Sequence, residues 1–243
     1  MRIADFFPLR RRFALTLRRP GGKSTRGFTL IELLVAISVM ALLAVLSWRG
    51  LDGMARSQAQ TSQRADEVLN LQAGLGQWKV DLDSLTQTPQ ITSLAWDGRV
   101  LRLTRRATAG SDGLVVVAWT RRGEADGQWL RWQSPPVSTL GGWTDAWNRA
   151  NVWSQTASAE DRVREVTITP LANWQLFYFR GNAWSNSLSS DGAGAAAGVV
   201  AQPGAQATTV PDGIRLVLEL PPGQPINGRM TVDWVRPTLG GDR

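Results

Sequence analysis

Residues 28–48 read FTLIELLVAISVMALLAVLSW, and the fold follows from how this stretch is placed. As a helix it would run about 32 Å, enough for the hydrocarbon core of a bilayer. Its one charged residue is Glu32, near its start. An acid in such surroundings costs free energy, about 2.5–3.5 kcal/mol at a bilayer centre and less near the interface, so it asks for a partner. The stretch holds no Lys or Arg to supply one.

The residues before it are strongly basic. Residues 1–27 carry Arg2, Arg10, Arg11, Arg12, Arg18, Arg19, Lys23 and Arg26 against Asp5, which is the whole net charge of +7. Residues 28–243 hold 19 basic and 19 acidic groups and balance. A basic stretch ahead of an apolar run holds that end on the cytoplasmic side of a membrane. The basicity therefore reports on insertion, and a nucleic-acid partner is not expected. The chain has no Cys and no His, and its only lysines are Lys23 and Lys79. Disulfide frameworks, thiol chemistry, imidazole bases and the usual zinc ligand sets are excluded. Asp81 and Asp83 lie two apart on a predicted helix and do not face each other as a catalytic pair would. The composition points to a non-enzymatic protein.

Beyond Trp48 the helical periodicity continues through Leu51, Met54, Gln58, Thr61, Ala65, Val68, Gln72, Leu75, Lys79 and Leu82. It predicts one helix from Phe28 to about Asp83, roughly 80 Å long. Residues 55–66 are polar on most faces, whereas Val68, Leu69, Leu71, Leu75, Trp78 and Leu82 make 68–82 an apolar stripe for packing. Gly50, Gly53, Gly74 and Gly76 are candidate bends. From Gln90 the pattern changes to short strands. Ile91–Trp96 and Arg99–Thr104 read as a hairpin across Asp97-Gly98, a pair that favours a type I′ turn. Leu114–Arg121 pairs with Gln128–Gln133, Val163–Thr169 precedes Trp174–Phe179, Trp184 follows a Gly181-Asn182 turn, and Ile214–Leu220 precedes Arg229–Val235. The expected class is α+β, an antiparallel domain of seven or eight strands with the tail of the long helix packed on it. Residues 141–161, with Trp143, Trp147 and Trp153, read as a packed loop or short helix. Residues 185–213, rich in Ser, Gly and Ala, read as a mobile loop.

Arg26-Gly27-Phe28-Thr29-Leu30-Ile31-Glu32-Leu33-Leu34 resembles the N-terminal signature of prepilins, the precursors of type IV pilins and of type II secretion pseudopilins. The resemblance implies that a prepilin peptidase cuts between Gly27 and Phe28 and methylates the new amine of Phe28. It makes Glu32 the fifth mature residue, which that family uses in assembly. An amine four residues before Glu32 is the cation that the apolar run lacks, and a neighbouring subunit's amine could meet this acid in a bundle of staggered helices. The implied organisation is a cleaved leader at 1–27, a transmembrane assembly helix at 28–48, its periplasmic continuation at 49–85 and a periplasmic β-rich domain at 86–243.

Later stretches sharpen this. LNLQAGLGQWKVDLDSL (69–85), ANWQLFYFRGNAWSN (172–186), IRLVLELP (214–221) and GRMTVDWV (228–235) resemble the J-type minor pseudopilin of type II secretion. That likeness implies assembly with the I-type and K-type minor pseudopilins and the major pseudopilin. It also implies a single-pass protein of the bacterial inner membrane. Two other readings stay open. One is a minor pilin of a type IV pilus, though many of those carry a disulfide that this chain cannot form. The other is a signal-anchored or secreted periplasmic binding protein.

Other candidate sites are weaker. No cofactor is expected. For metals only oxygen ligands exist, which leaves Ca²⁺, with Glu124, Asp126 and Asp191 as candidates that lack EF-hand spacing. Trp129-x-Arg131 places both side chains on one strand face, where a cation–π contact can form. Arg105-Arg106 and Arg121-Arg122 read as basic patches offset by Asp112, Glu124 and Asp126.

Overall fold

The computed structural model describes residues 27–88, 90–107, 112–124, 127–188 and 210–237. The chain divides into two compact units, Met1–Ala55 and Arg56–Arg243.

Helix α1 (Leu30–Asp83) runs unbroken for 54 residues, so none of the four glycines ends it. In the first unit its residues 30–55 are exposed throughout, with Leu30, Ile31, Met40 and Leu51 all above 60%. By length and composition this helix can cross a membrane.

In the second unit the tail of α1 buries Leu71, Gly74, Trp78, Asp81 and Leu82. Steps of three and four put these on one face. Leu71, Trp78 and Leu82 are among the apolar residues the sequence offers for packing, Lys79 points out, and Gly74 and Asp81 join the buried face. Gly74 is present for closeness: a Cβ there would stand 2.2 Å from Ile168 Cγ2. Gly74→Ala should therefore destabilise the domain by about 1–3 kcal/mol, the cost of overpacking. That outweighs the gain of about 1 kcal/mol in helix propensity. The check is urea unfolding of the full chain in detergent. Gly76, which has open space at its Cβ, should gain from the same substitution.

Nine strands among the described residues form two antiparallel sheets. The first has the order β1 (Leu94–Trp96), β2 (Val100–Arg106), β3 (Leu114–Arg122), β4 (Gln128–Gln133), β5 (Glu165–Pro170). The second has the order β7 (Ala183–Asn186), β6 (Asn173–Arg180), β8 (Gly213–Leu220), β9 (Gly228–Val235). The α+β architecture, a long N-terminal helix followed by antiparallel sheets, is pilin-like. Two sheets appear where one was expected because Leu171-Ala172 carries the chain across. β5 pairs with β4, whereas β6 pairs with β7 and β8.

Two local expectations need correction. The β1–β2 hairpin pairs Trp96 with Leu101, leaving four residues between them instead of a two-residue type I′ turn. Asp97 Oδ1 accepts from the N–H of Arg99 (2.9 Å) and Val100 (2.8 Å), and Gly98 takes φ +92°, so the side chain shapes a longer turn. Of the two readings of residues 141–161, loop or short helix, the helical one holds: α2 (Leu140–Gln155) and α3 (Ala159–Arg162). Trp143, Ala146, Ala150 and Trp153 share one face of α2, and Thr139 caps it through the N–H of Gly142. The Ser/Gly/Ala stretch begins later than expected, since Ser185 and Asn186 pair within β7; residues 189–209 lie outside the described residues.

The first sheet has a core on each face. On one, Val100, Val116, Ala118, Leu130 and Trp132 pack with α2. On the other, Leu101, Leu103, Val117, Trp119 and Trp129 pack with Leu71, Trp78 and Leu82 of α1 and with Trp174, Leu216 and Trp234 of the second sheet. Many of the chain's 12 Trp meet in these cores. Trp78 contacts Trp119, Trp129 and Trp174 with ring centroids at 5.4, 6.0 and 6.4 Å, and Trp174 meets Trp96 at 4.7 Å.

Candidate functional site

The N-terminal candidates lie together at the start of α1. Gly27 is exposed with nothing within 4 Å of where a Cβ would stand, and Phe28 is 82% exposed. The Gly27–Phe28 bond therefore joins two exposed residues. Thr29 and Glu32 close a reciprocal pair at the helix start. Glu32 Oε2 accepts from the backbone N–H and the hydroxyl of Thr29, both at 3.0 Å, and the Glu32 N–H donates to Thr29 Oγ1 at 3.4 Å. This is a capping box, and it satisfies donors that a helix N-terminus leaves free. An acid there also faces the positive end of the helix dipole. The sequence reading gave Glu32 a role between subunits and missed this local one, although Thr-x-x-Glu is its sequence signal.

This exposed Gly–Phe bond is followed by an apolar helix with one acid near its start. Residues 22–48 match the prokaryotic N-terminal methylation motif. No curated protein matches the chain. The motif identifies a type IV pilin-like or pseudopilin-like prepilin signal and supports processing by a prepilin peptidase and assembly with like subunits. With the apolar helix it supports membrane anchoring. Residues 1–26, where the sequence leads one to expect a leader, lie outside the described residues.

The weaker candidates are placed as follows. Asp126 and Asp191 lie outside the described residues. Glu124 is exposed, and its backbone carbonyl accepts from Arg121 Nη2 at 2.6 Å. The same guanidinium donates to the carbonyls of Gly123 (2.7 Å) and Leu171 (2.7 Å). Arg121 is thus the cation around which these carbonyls gather. No group of three acids that could hold a metal occurs among the described residues.

The paired arginines do not form surface patches. Arg122 binds Glu165 through Nη2 at 2.8 and 2.7 Å, and Arg105 is buried. Arg131 does not sit over Trp129. Both keep to one face of β4, as expected, but Arg131 stands opposite Trp119 in the β3–β4 register, and its guanidinium lies 5.9 Å from that ring.

Arg131 has a stronger partner, and sequence reasoning missed it. It grips Asp81 with two bonds, Nε to Oδ2 at 2.7 Å and Nη2 to Oδ1 at 2.9 Å. Asp81 is fully buried and also accepts from Trp119 Nε1 (3.0 Å) and Gln77 Nε2 (2.9 Å), with Arg105 Nε at 3.2 Å. Gln133 Oε1 accepts from both arginines at 2.9 Å. A buried carboxylate needs such a shell. Burial holds Arg105 below the usual arginine range, Asp81 opposes that, and the nearby Arg131 charge adds to it. Nearby, burial pushes the Asp83 carboxyl up, but bonds from Lys79 and Trp234 outweigh it and leave it below the usual range. These contacts fasten the tail of α1 to β3, β4 and β9.

Proposed function

We propose that this chain is a minor pseudopilin of J type, a non-enzymatic subunit at the tip of a type II secretion pseudopilus. The single observation that carries the assembly reading is the methylation motif over residues 22–48, set on a helix whose apolar surface is exposed. Cleavage after Gly27 would create an amine at Phe28, ordinarily protonated near neutral pH. That cation would stand one residue from the Thr29 N–H that Glu32 already binds. The proposed orientation places the N-terminus in the cytoplasm of a bacterial inner-membrane protein and residues 86–243 in the periplasm. The J-type assignment rests on the likeness of residues 69–85, 172–186, 214–221 and 228–235. The absence of Cys favours it over a type IV minor pilin.

Mass spectrometry of the mature N-terminus tests the class. A chain beginning at methylated Phe28 is expected; a start beyond Trp48, or an uncut chain, overturns it. The system is tested separately, by co-purifying the full chain from membranes with I-type and K-type pseudopilins. Retention of type IV pilins instead would give the protein to a pilus. Glu32→Ala should be cut and methylated normally yet fail to co-purify with partner subunits. Normal secretion by that variant would remove Glu32 from assembly.

A further inference from the structure

The buried cluster around Asp81 is short of negative charge. Arg105 and Arg131, both at least nine-tenths buried, share its one carboxylate. Gln133 gives both a neutral oxygen only. The excess positive charge lies under one wall of a 530 Å³ groove between the end of α1 and the end of β2. Low-dielectric walls focus such a field outward.

Arg106 lines the same groove and adds a second positive charge. Its side chain is exposed and has no ion-pair partner among the described residues. The acid in the wall, Asp83, already binds Lys79 Nζ and Trp234 Nε1. Exposed Gln87 and Thr88 offer donors and acceptors along the floor.

We propose that this groove docks an acidic peptide segment of a partner protein, one carboxylate of which pairs with Arg106 over the buried excess charge of Arg105. Both Nη groups of Arg105 are committed, to the carbonyl of Arg106 (3.2 Å) and to Gln133 Oε1 (2.9 Å). Arg106 therefore supplies the one free fork, which matches a single carboxylate; a multiply charged phosphate would call for several. The inference holds whichever assembly the chain serves, so its failure leaves the processing test untouched.

The test places p-benzoylphenylalanine at Gln87 of the full chain in detergent and irradiates it with biotinylated tetraglutamate. Labelling at position 87 is expected, with tetraglutamine labelling weaker by about twofold to fivefold, the factor an exposed charged pair supplies. Arg106→Gln should reduce tetraglutamate labelling by a similar factor. Arg229→Gln, an exposed cation on β9, should leave it unchanged. Equal labelling by both peptides, undiminished labelling in Arg106→Gln, or equal loss in Arg229→Gln would overturn the site. Inorganic phosphate that displaces the peptide at equal concentration would overturn the peptide reading.

Discussion

Replacing Asp81 with Ala is expected to lower the stability of the second unit by about 3–5 kcal/mol, the cost of removing one partner from a buried ion pair. That is a large part of the roughly 5–15 kcal/mol that separates folded from unfolded domains. The loss would not be one contact. Two guanidinium groups would remain buried beside each other, and Trp119 Nε1 and Gln77 Nε2 would lose their acceptor. Asp81→Asn should lie between wild type and Ala, because an amide oxygen restores an acceptor without the charge. The informative variant removes the whole cluster. Asp81→Leu with Arg105→Met and Arg131→Met should recover most of the loss, since apolar groups of similar volume replace a buried charge network at little cost. Urea unfolding of the full chain in detergent, followed by tryptophan fluorescence, reads all four proteins. An Asp81→Ala loss within about 1 kcal/mol of wild type would show that the cluster is solvated in solution.

Asp81 also shows where a sequence stops being legible. The helix, its apolar first half and most of the strand positions follow from local periodicity, because each depends on neighbours within a few residues. Gly27, Phe28, Thr29 and Glu32 sit within six residues of one another, so the methylation motif could be read directly. The helix face could be read only in part. A count of apolar residues selects Leu71, Trp78 and Leu82, which are buried, yet the buried set also includes Gly74, chosen for the approach of Ile168, and Asp81, chosen for two arginines. Those partners lie 24 and 50 residues from Asp81 for Arg105 and Arg131, and only the sheet register brings them together. The same limit hid the second sheet: the break at Leu171-Ala172 looks like any turn until β5 and β6 choose different neighbours. The arginine pairs were misread for a related reason. Charge alone does not distinguish Arg106, which is exposed, from Arg105 beside it, which is buried.

Trp78→Ala should cost about 3–5 kcal/mol, the range for removing a buried aromatic side chain. Trp78 is 1% exposed, and its ring meets Trp119 and Trp129 of the first sheet and Trp174 of the second. Its loss would open a cavity where the helix tail and both sheets converge, so the variant should lose near-ultraviolet circular dichroism along with stability. Trp78→Phe should cost much less than Ala. The buried Trp78 Nε1 has no hydrogen-bond partner among the described residues, so removing that N–H relieves an unpaired polar group while most of the ring is kept. Trp119 gives the opposite ordering. Its Nε1 donates to Asp81 at 3.0 Å, and Trp119→Phe would take a donor from the buried carboxylate. Thermal melts of the two Phe variants therefore separate packing from hydrogen bonding at adjacent rings. Trp78→Phe should melt above Trp119→Phe, and the reverse order would mean that Trp78 Nε1 is bonded in solution.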